Sequence, residues 1–79
     1  MDDESALIQR TIAGDSRAFA LLVRSYQRPV VGLCRRYVGP ADAEDLAQET
    51  FVRAFTHVCS FDAARPLLPW LFTIARRLC

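Results

Sequence analysis

The chain has 79 residues, 52% hydrophobic and 10% aromatic, with ten basic residues that are all arginine, nine acidic residues and a formal net charge of +1. A chain of this size makes one domain that buries only about 60% of the surface its unfolded form exposes, and it is too apolar for a disordered segment. Its longest apolar run is far short of a membrane span and the acidic start Met1-Asp2-Asp3-Glu4 is unlike a signal peptide, so a soluble, cytoplasmic protein without membrane insertion is expected.

The pattern predicts an all-α bundle of four helices. Asp2, Asp3, Glu4 and Ser5 are candidate caps for a first helix with Leu7, Ile8 and Ile12 on one face, and Gly14 is its expected stop. Asp15 caps the second helix. There Phe19, Leu22, Val23, Tyr26, Val30, Leu33, Cys34 and Tyr37 form one stripe whose phase is unbroken across Pro29. A proline costs roughly 3 kcal/mol inside a regular helix, but a full break would have no reason to preserve the phase. One long helix over residues 16–38, kinked at Pro29 and ended by Gly39-Pro40, is therefore expected. Its other face carries Arg17, Arg24, Arg28 and Arg35 at steps of seven, four and seven, with Arg36 to one side. That row reads equally as a solvated face or as a track for phosphates or an acidic protein, since arginine forms bidentate bonds to both.

The third helix, from Ala41 or Asp42 to about Val58, has two unlike faces. At roughly 100° per residue, Ala47, Phe51, Ala54, Phe55 and Val58 gather on the side expected to be core, and Asp42, Asp45, Gln48, Glu49 and Val52 on the other. Residues 60–66 form a loop, and the last helix starts between Pro66 and Pro69. Leu67, Leu71, Ile74 and Leu78 of that helix face inward, while Thr73, Arg76 and Arg77 share a polar face. Trp70 borders the polar face on one side and Phe72 lies toward the other. Aromatic rings that stack bases, beside arginines that neutralise the backbone, are how single strands are bound; the same residues also read as core rings and solubilising arginines. Charge is segregated: residues 37–52 hold four acids and no base, residues 63–79 three arginines and no acid. Separate acidic and basic surfaces suit two different partners.

Other chemistries find little support. Cys34, Cys59 and Cys79 are an odd, widely spaced set that fits reduced thiols better than disulfides, with Cys34 on the core stripe. His57 and Cys59 lack the further ligands that a structural metal site needs, so no metal and no cofactor is expected. The carboxylates Glu44, Asp45 and Glu49 have no histidine at di-metal spacing, no glycine loop cradles a phosphate, and no nucleophile has a base. The chain does not read as an enzyme.

Asp15-Ser16-Arg17-Ala18-Phe19 at the head of the long helix, Tyr26 and Pro29 near its middle, Asp42-Ala43-Glu44-Asp45-Leu46-Ala47-Gln48-Glu49-Thr50-Phe51, and Trp70-Leu71-Phe72-Thr73-Ile74-Ala75-Arg76 occur in this order. Together they resemble the second conserved region (region 2) of sigma-70-type factors of the extracytoplasmic-function (ECF) group. The resemblance covers residues 15–79, with Arg77 where the family commonly has Asn. It implies a helical domain that docks on the β′ clamp helices of core RNA polymerase through Asp42, Asp45, Leu46, Gln48, Glu49 and Val52. It implies also that the non-template single strand of the promoter −10 element is captured by Ser60, Phe61, Asp62, Arg65, Trp70, Thr73, Arg76 and Arg77. A base flipped into the loop costs a few kcal/mol, to be offset by docking and by the pocket. An anti-sigma factor is the further partner implied. Residues 1–79 read as one region 2 domain, with no region 4 helix-turn-helix among them. The competing reading is a sigma-like interaction module, held by an anti-sigma factor or acting as a polymerase decoy.

Overall fold

A computed structural model describes residues 3–78, Asp3 by its backbone alone; Met1, Asp2 and Cys79, with the capping expected of Asp2, lie outside the described residues. The chain forms α1 (Asp3–Ile12), α2 (Ser16–Val38), α3 (Pro40–His57), a 3-10 turn (Val58–Ser60) and α4 (Leu67–Leu78). This is the expected all-α, four-helix architecture. No strand occurs among the described residues, and none of their helices is long and apolar enough to cross a membrane.

The junction between α1 and α2 is built as the sequence suggests. Gly14 takes φ +104°, which side-chain-bearing residues avoid. Asp15 then accepts the backbone N–H groups of Arg17 and Ala18 at 3.0 and 3.2 Å, filling two of the donors that a helix start leaves open. Its other oxygen receives Arg10 Nη2 at 2.8 Å, tying the end of α1 to the start of α2. The Arg10 hydrogen bond, then the backbone N–H of Ala18, hold the Asp15 carboxyl below its ordinary pKa.

Helix α2 runs through Pro29 as one element and packs most extensively on α3. Ala18, Leu22, Val30 and Cys34 are buried, with Phe19, Val23, Tyr26 and Leu33 partly buried beside them. Tyr37, expected on this stripe, is instead 49% exposed. It lies at the corner with α3, where Pro40, Ala41 and Asp42 are themselves exposed and cannot cover its ring.

Helix α3 begins at Pro40, slightly earlier than expected, because proline suits a first helical position and Gly39 at φ +82° turns the chain there. Its helical hydrogen bonding ends at His57, so Val58 and Ser60 belong to the 3-10 turn. Ala43, Ala47, Thr50, Phe51 and Ala54 make the inward face. Three alanines let α2 and α3 approach closely, and the buried Thr50 hydroxyl is satisfied by donating to the Leu46 carbonyl at 2.8 Å. Phe55, expected in the core, is 40% exposed. One helical step beyond Ala54 its ring reaches only the edge of the seam, tilted against Phe19 with centroids 4.8 Å apart.

Helix α4 closes the core with Leu67, Leu71 and Ala75, while Ile74 and Leu78 are half-buried. Cys34 is fully buried, as the stripe implied, and Cys59 is exposed.

Candidate functional site

The segment between α3 and α4 is shaped by its own polar groups. Asp62 Oδ1 accepts the Ala64 N–H at 2.9 Å and the Asp62 carbonyl accepts the Arg65 N–H at 2.9 Å, a tight turn of the kind Asp favours. Arg65 Nε lies 3.8 Å from the Asp62 carboxyl, both side chains being largely solvated. Phe61 is buried, its ring 4.7 Å from that of Trp70, so the turn is pinned to α4 by an aromatic pair.

This arrangement opens a pocket lined by Ser60, Phe61, Asp62, Arg65, Pro66, Pro69, Trp70 and Thr73. Six of the eight residues expected to meet a single strand therefore line one concavity. The Ser60 hydroxyl donates to the His57 carbonyl at 2.8 Å and the Thr73 hydroxyl to the Pro69 carbonyl at 3.0 Å. With their hydrogens engaged, both present acceptor lone pairs, as does the Asp62 carboxyl. Arg65 and the Trp70 indole supply donors, and the Phe61 and Trp70 rings supply flat apolar surface. The pocket can therefore hold a planar ring and accept hydrogen bonds from its exocyclic amino group. Phe61, buried as it is, contributes shape rather than a reading edge.

Arg77 lies on a second concavity, with Trp70, Ile74, Leu78, Ser60, His57 and Arg53. Trp70 and Ser60 border both. Arg76 is exposed in the last turn of α4 and lines neither. Cations there also complement the helix dipole. Sequence reasoning missed Arg53 and His57, because they belong to α3 and meet α4 only in the folded molecule.

The acidic face of α3 forms the other surface. Asp45, Gln48 and Val52 line a groove between α2 and α3, with Glu44, Phe19, Gln27 and Phe55 among its other walls. Val52 is 59% exposed. Glu49 stands outside the groove and pairs with Arg53 at 3.1 Å, one turn along the same helix. Asp42 is exposed in the first turn and Leu46 is half-buried against the core. The expected docking residues thus divide into a groove set and a set beside it. Phe55 and Gln27 also line this groove: the pattern along α3 puts the first in the core, and the second belongs to another helix. Among the described residues no group of three or more His, Cys, Asp or Glu side chains could hold a metal ion.

Comparison with known proteins bears on the family and the fold. Residues 22–79 match the family described as Sigma-70 region 2. The chain is 42% identical over 72 residues to the ECF RNA polymerase sigma-E factor of Haemophilus influenzae, covering 91% of this chain and 38% of that protein. It is 42% identical over 72 residues to the ECF RNA polymerase sigma factor SigW of Bacillus subtilis, covering 90% and 38%. The chain thus spans 38% of the length of these relatives. Among solved structures, an engineered region 2 of sigmaE in complex with GTAAAA, determined by NMR, superposes with a TM-score of 0.89 at 40% identity. It covers 94% of this chain and 78% of that one. With the motifs, the four-helix fold and these matches in agreement, the chain belongs to the sigma-70 family as a region 2 domain of the extracytoplasmic-function group.

Proposed function

We propose that residues 1–79 act as one region 2 unit in transcription initiation, docking on core RNA polymerase through α3 and capturing the melted non-template strand of the −10 element between the 60–66 segment and α4. The observation that carries this reading is the pocket that gathers Ser60, Phe61, Asp62, Arg65, Trp70 and Thr73. A flipped base placed there stacks against aromatic surface and meets acceptors, while Arg76 and Arg77 neutralise the strand that leads to it. The work is done by binding, not by bond chemistry, and its setting is the cytoplasm, where polymerase and promoter meet.

The α3 face suits a basic helical partner such as the β′ clamp helices. Asp42, Asp45 and Glu49 supply charge, Gln48 supplies hydrogen bonding, and Leu46 and Val52 supply apolar area. An anti-sigma factor that covered the same face would compete with polymerase. The test is retention of the 79-residue chain by core RNA polymerase. Glu49→Lys removes the pair with Arg53 and opposes a basic partner, and it should weaken retention while circular dichroism stays normal, because Glu49 is exposed. Glu49→Lys with Gln48→Ala should weaken it further. Unchanged retention by both variants refutes the assignment of this face.

A further inference from the structure

Helix α1 reaches both ends of the segment that carries the pocket. Glu4 Oε2 accepts the backbone N–H of Leu67, the first residue of α4, at 3.4 Å across 63 positions of sequence. Its Oε1 accepts the hydroxyl of Tyr26 on α2. One turn along α1, Ile8 is fully buried and borders the same small apolar void as Val58, Leu67 and Trp70. The helix also packs on the 3-10 turn that contains Val58 and Ser60. Val58 and Leu67 bracket residues 59–66, so Glu4 and Ile8, on one face of α1, hold the two ends of that segment.

The first N–H groups of a helix have no partner within it. At α4 one of them is satisfied from another helix, and the acceptor is itself oriented by Tyr26. The walls of the pocket come from both sides of this point: Ser60, Phe61, Asp62 and Arg65 before Leu67, and Trp70 and Thr73 after it. Their relative placement therefore depends on where α4 begins. Hydrogen bonds to a base weaken steeply once distance and angle leave the favourable range.

We propose that Glu4 is a positioning residue: by holding the Leu67 N–H it sets the register of α4 against the 3-10 turn and thereby the pocket's discrimination between bases. This rests on the base-capture reading given above. Glu4 is not among the residues that line the pocket. Its effect is transmitted through the start of α4, and a change at Glu4 alters selectivity while leaving the arginine contacts with phosphates untouched.

The test uses the 79-residue chain and three variants, Glu4→Ala, Glu4→Gln and Tyr26→Phe. The first measurement is amide hydrogen exchange by NMR without DNA. The second is titration with single-stranded hexanucleotides that differ at one base, at two salt concentrations. In Glu4→Ala, exchange at Leu67 and over residues 58–65 should accelerate while core amides of α2 and α3 keep their protection. The preference for the best over the other hexanucleotides should fall by about three- to tenfold, the size of one ordinary hydrogen bond, with an unchanged salt slope. Glu4→Gln retains an oxygen for Leu67 and should restore both readouts; Tyr26→Phe leaves the Leu67 contact in place and should keep most of the preference. Unaltered exchange over residues 58–67 in Glu4→Ala overturns the proposal. So does equal weakening toward every hexanucleotide, which would mark Glu4 as merely stabilising. A wild-type chain that binds all the hexanucleotides alike refutes the base-capture reading itself, and the role of Glu4 in discrimination falls with it.

Discussion

Phe51 and Phe55 sit one turn apart on α3 and should respond very differently to truncation. Phe51 is 7% exposed and belongs to the main core cluster, whereas Phe55 is 40% exposed and touches the core edge through Phe19. Removing a buried phenylalanine side chain costs about 3–5 kcal/mol, the lost transfer energy plus the cavity left behind. A domain of this size has about 4–12 kcal/mol of stability in total. Phe51→Ala should therefore leave the fold marginal or unfolded at room temperature. Phe55→Ala forfeits the ring pair, about 0.5–1.5 kcal/mol, and the burial of a side chain left 40% exposed, so a loss of about 1.5–3 kcal/mol is expected. In a domain this small each kcal/mol shifts Tm by about 4–8 °C. Urea and thermal melts followed by circular dichroism separate the two variants directly. Equal destabilisation by both, or a larger effect at Phe55, would refute the phase of α3 and with it the exposed Phe55 edge of the groove.

Three further outcomes follow from surface residues. Arg76→Ala, measured with core polymerase present, should weaken binding to most non-template oligonucleotides alike and reduce the salt dependence by about one released counterion, whereas Asp62→Ala should change which base is preferred at one position. A base-specific loss at Arg76 would contradict its assignment to phosphate. At Asp15 the Arg10 hydrogen bond and the cap on α2 depress the folded-state pKa below the ordinary 3.8. A depressed carboxyl contributes stability that is complete above its unfolded pKa and is lost as pH falls through the folded value. Wild type should therefore melt above Asp15→Asn at pH 7, and the gap should narrow as acid protonates Asp15; a gap that keeps its size or widens in acid refutes the linkage.

Sequence alone determined the helices, the Asp15 cap of α2 and the charge segregation, since each depends on residues within a turn or two of one another. Asp15 caps α2 through its own chain neighbours, Gly14 and Gly39 adopt the positive φ that glycine tolerates, and the stripe across Pro29 keeps its phase because 3.6 residues per turn is a local property. The motifs also marked both candidate surfaces. Tertiary structure decided which members of an apolar stripe lie under cover. Phe55 and Tyr37 are in phase with core residues yet exposed, because burial depends on whether another helix extends over that spot. Conversely Ala43 and Thr50 are fully buried on the face of α3 that packs against the rest of the bundle. Only the fold brings Arg53 and His57 of α3 beside Arg77, places Phe61 under Trp70, and carries Glu4 to the start of α4. These contacts join residues far apart in the chain, and no periodicity encodes them: they are fixed by how four helices of given length and side-chain volume close around one core.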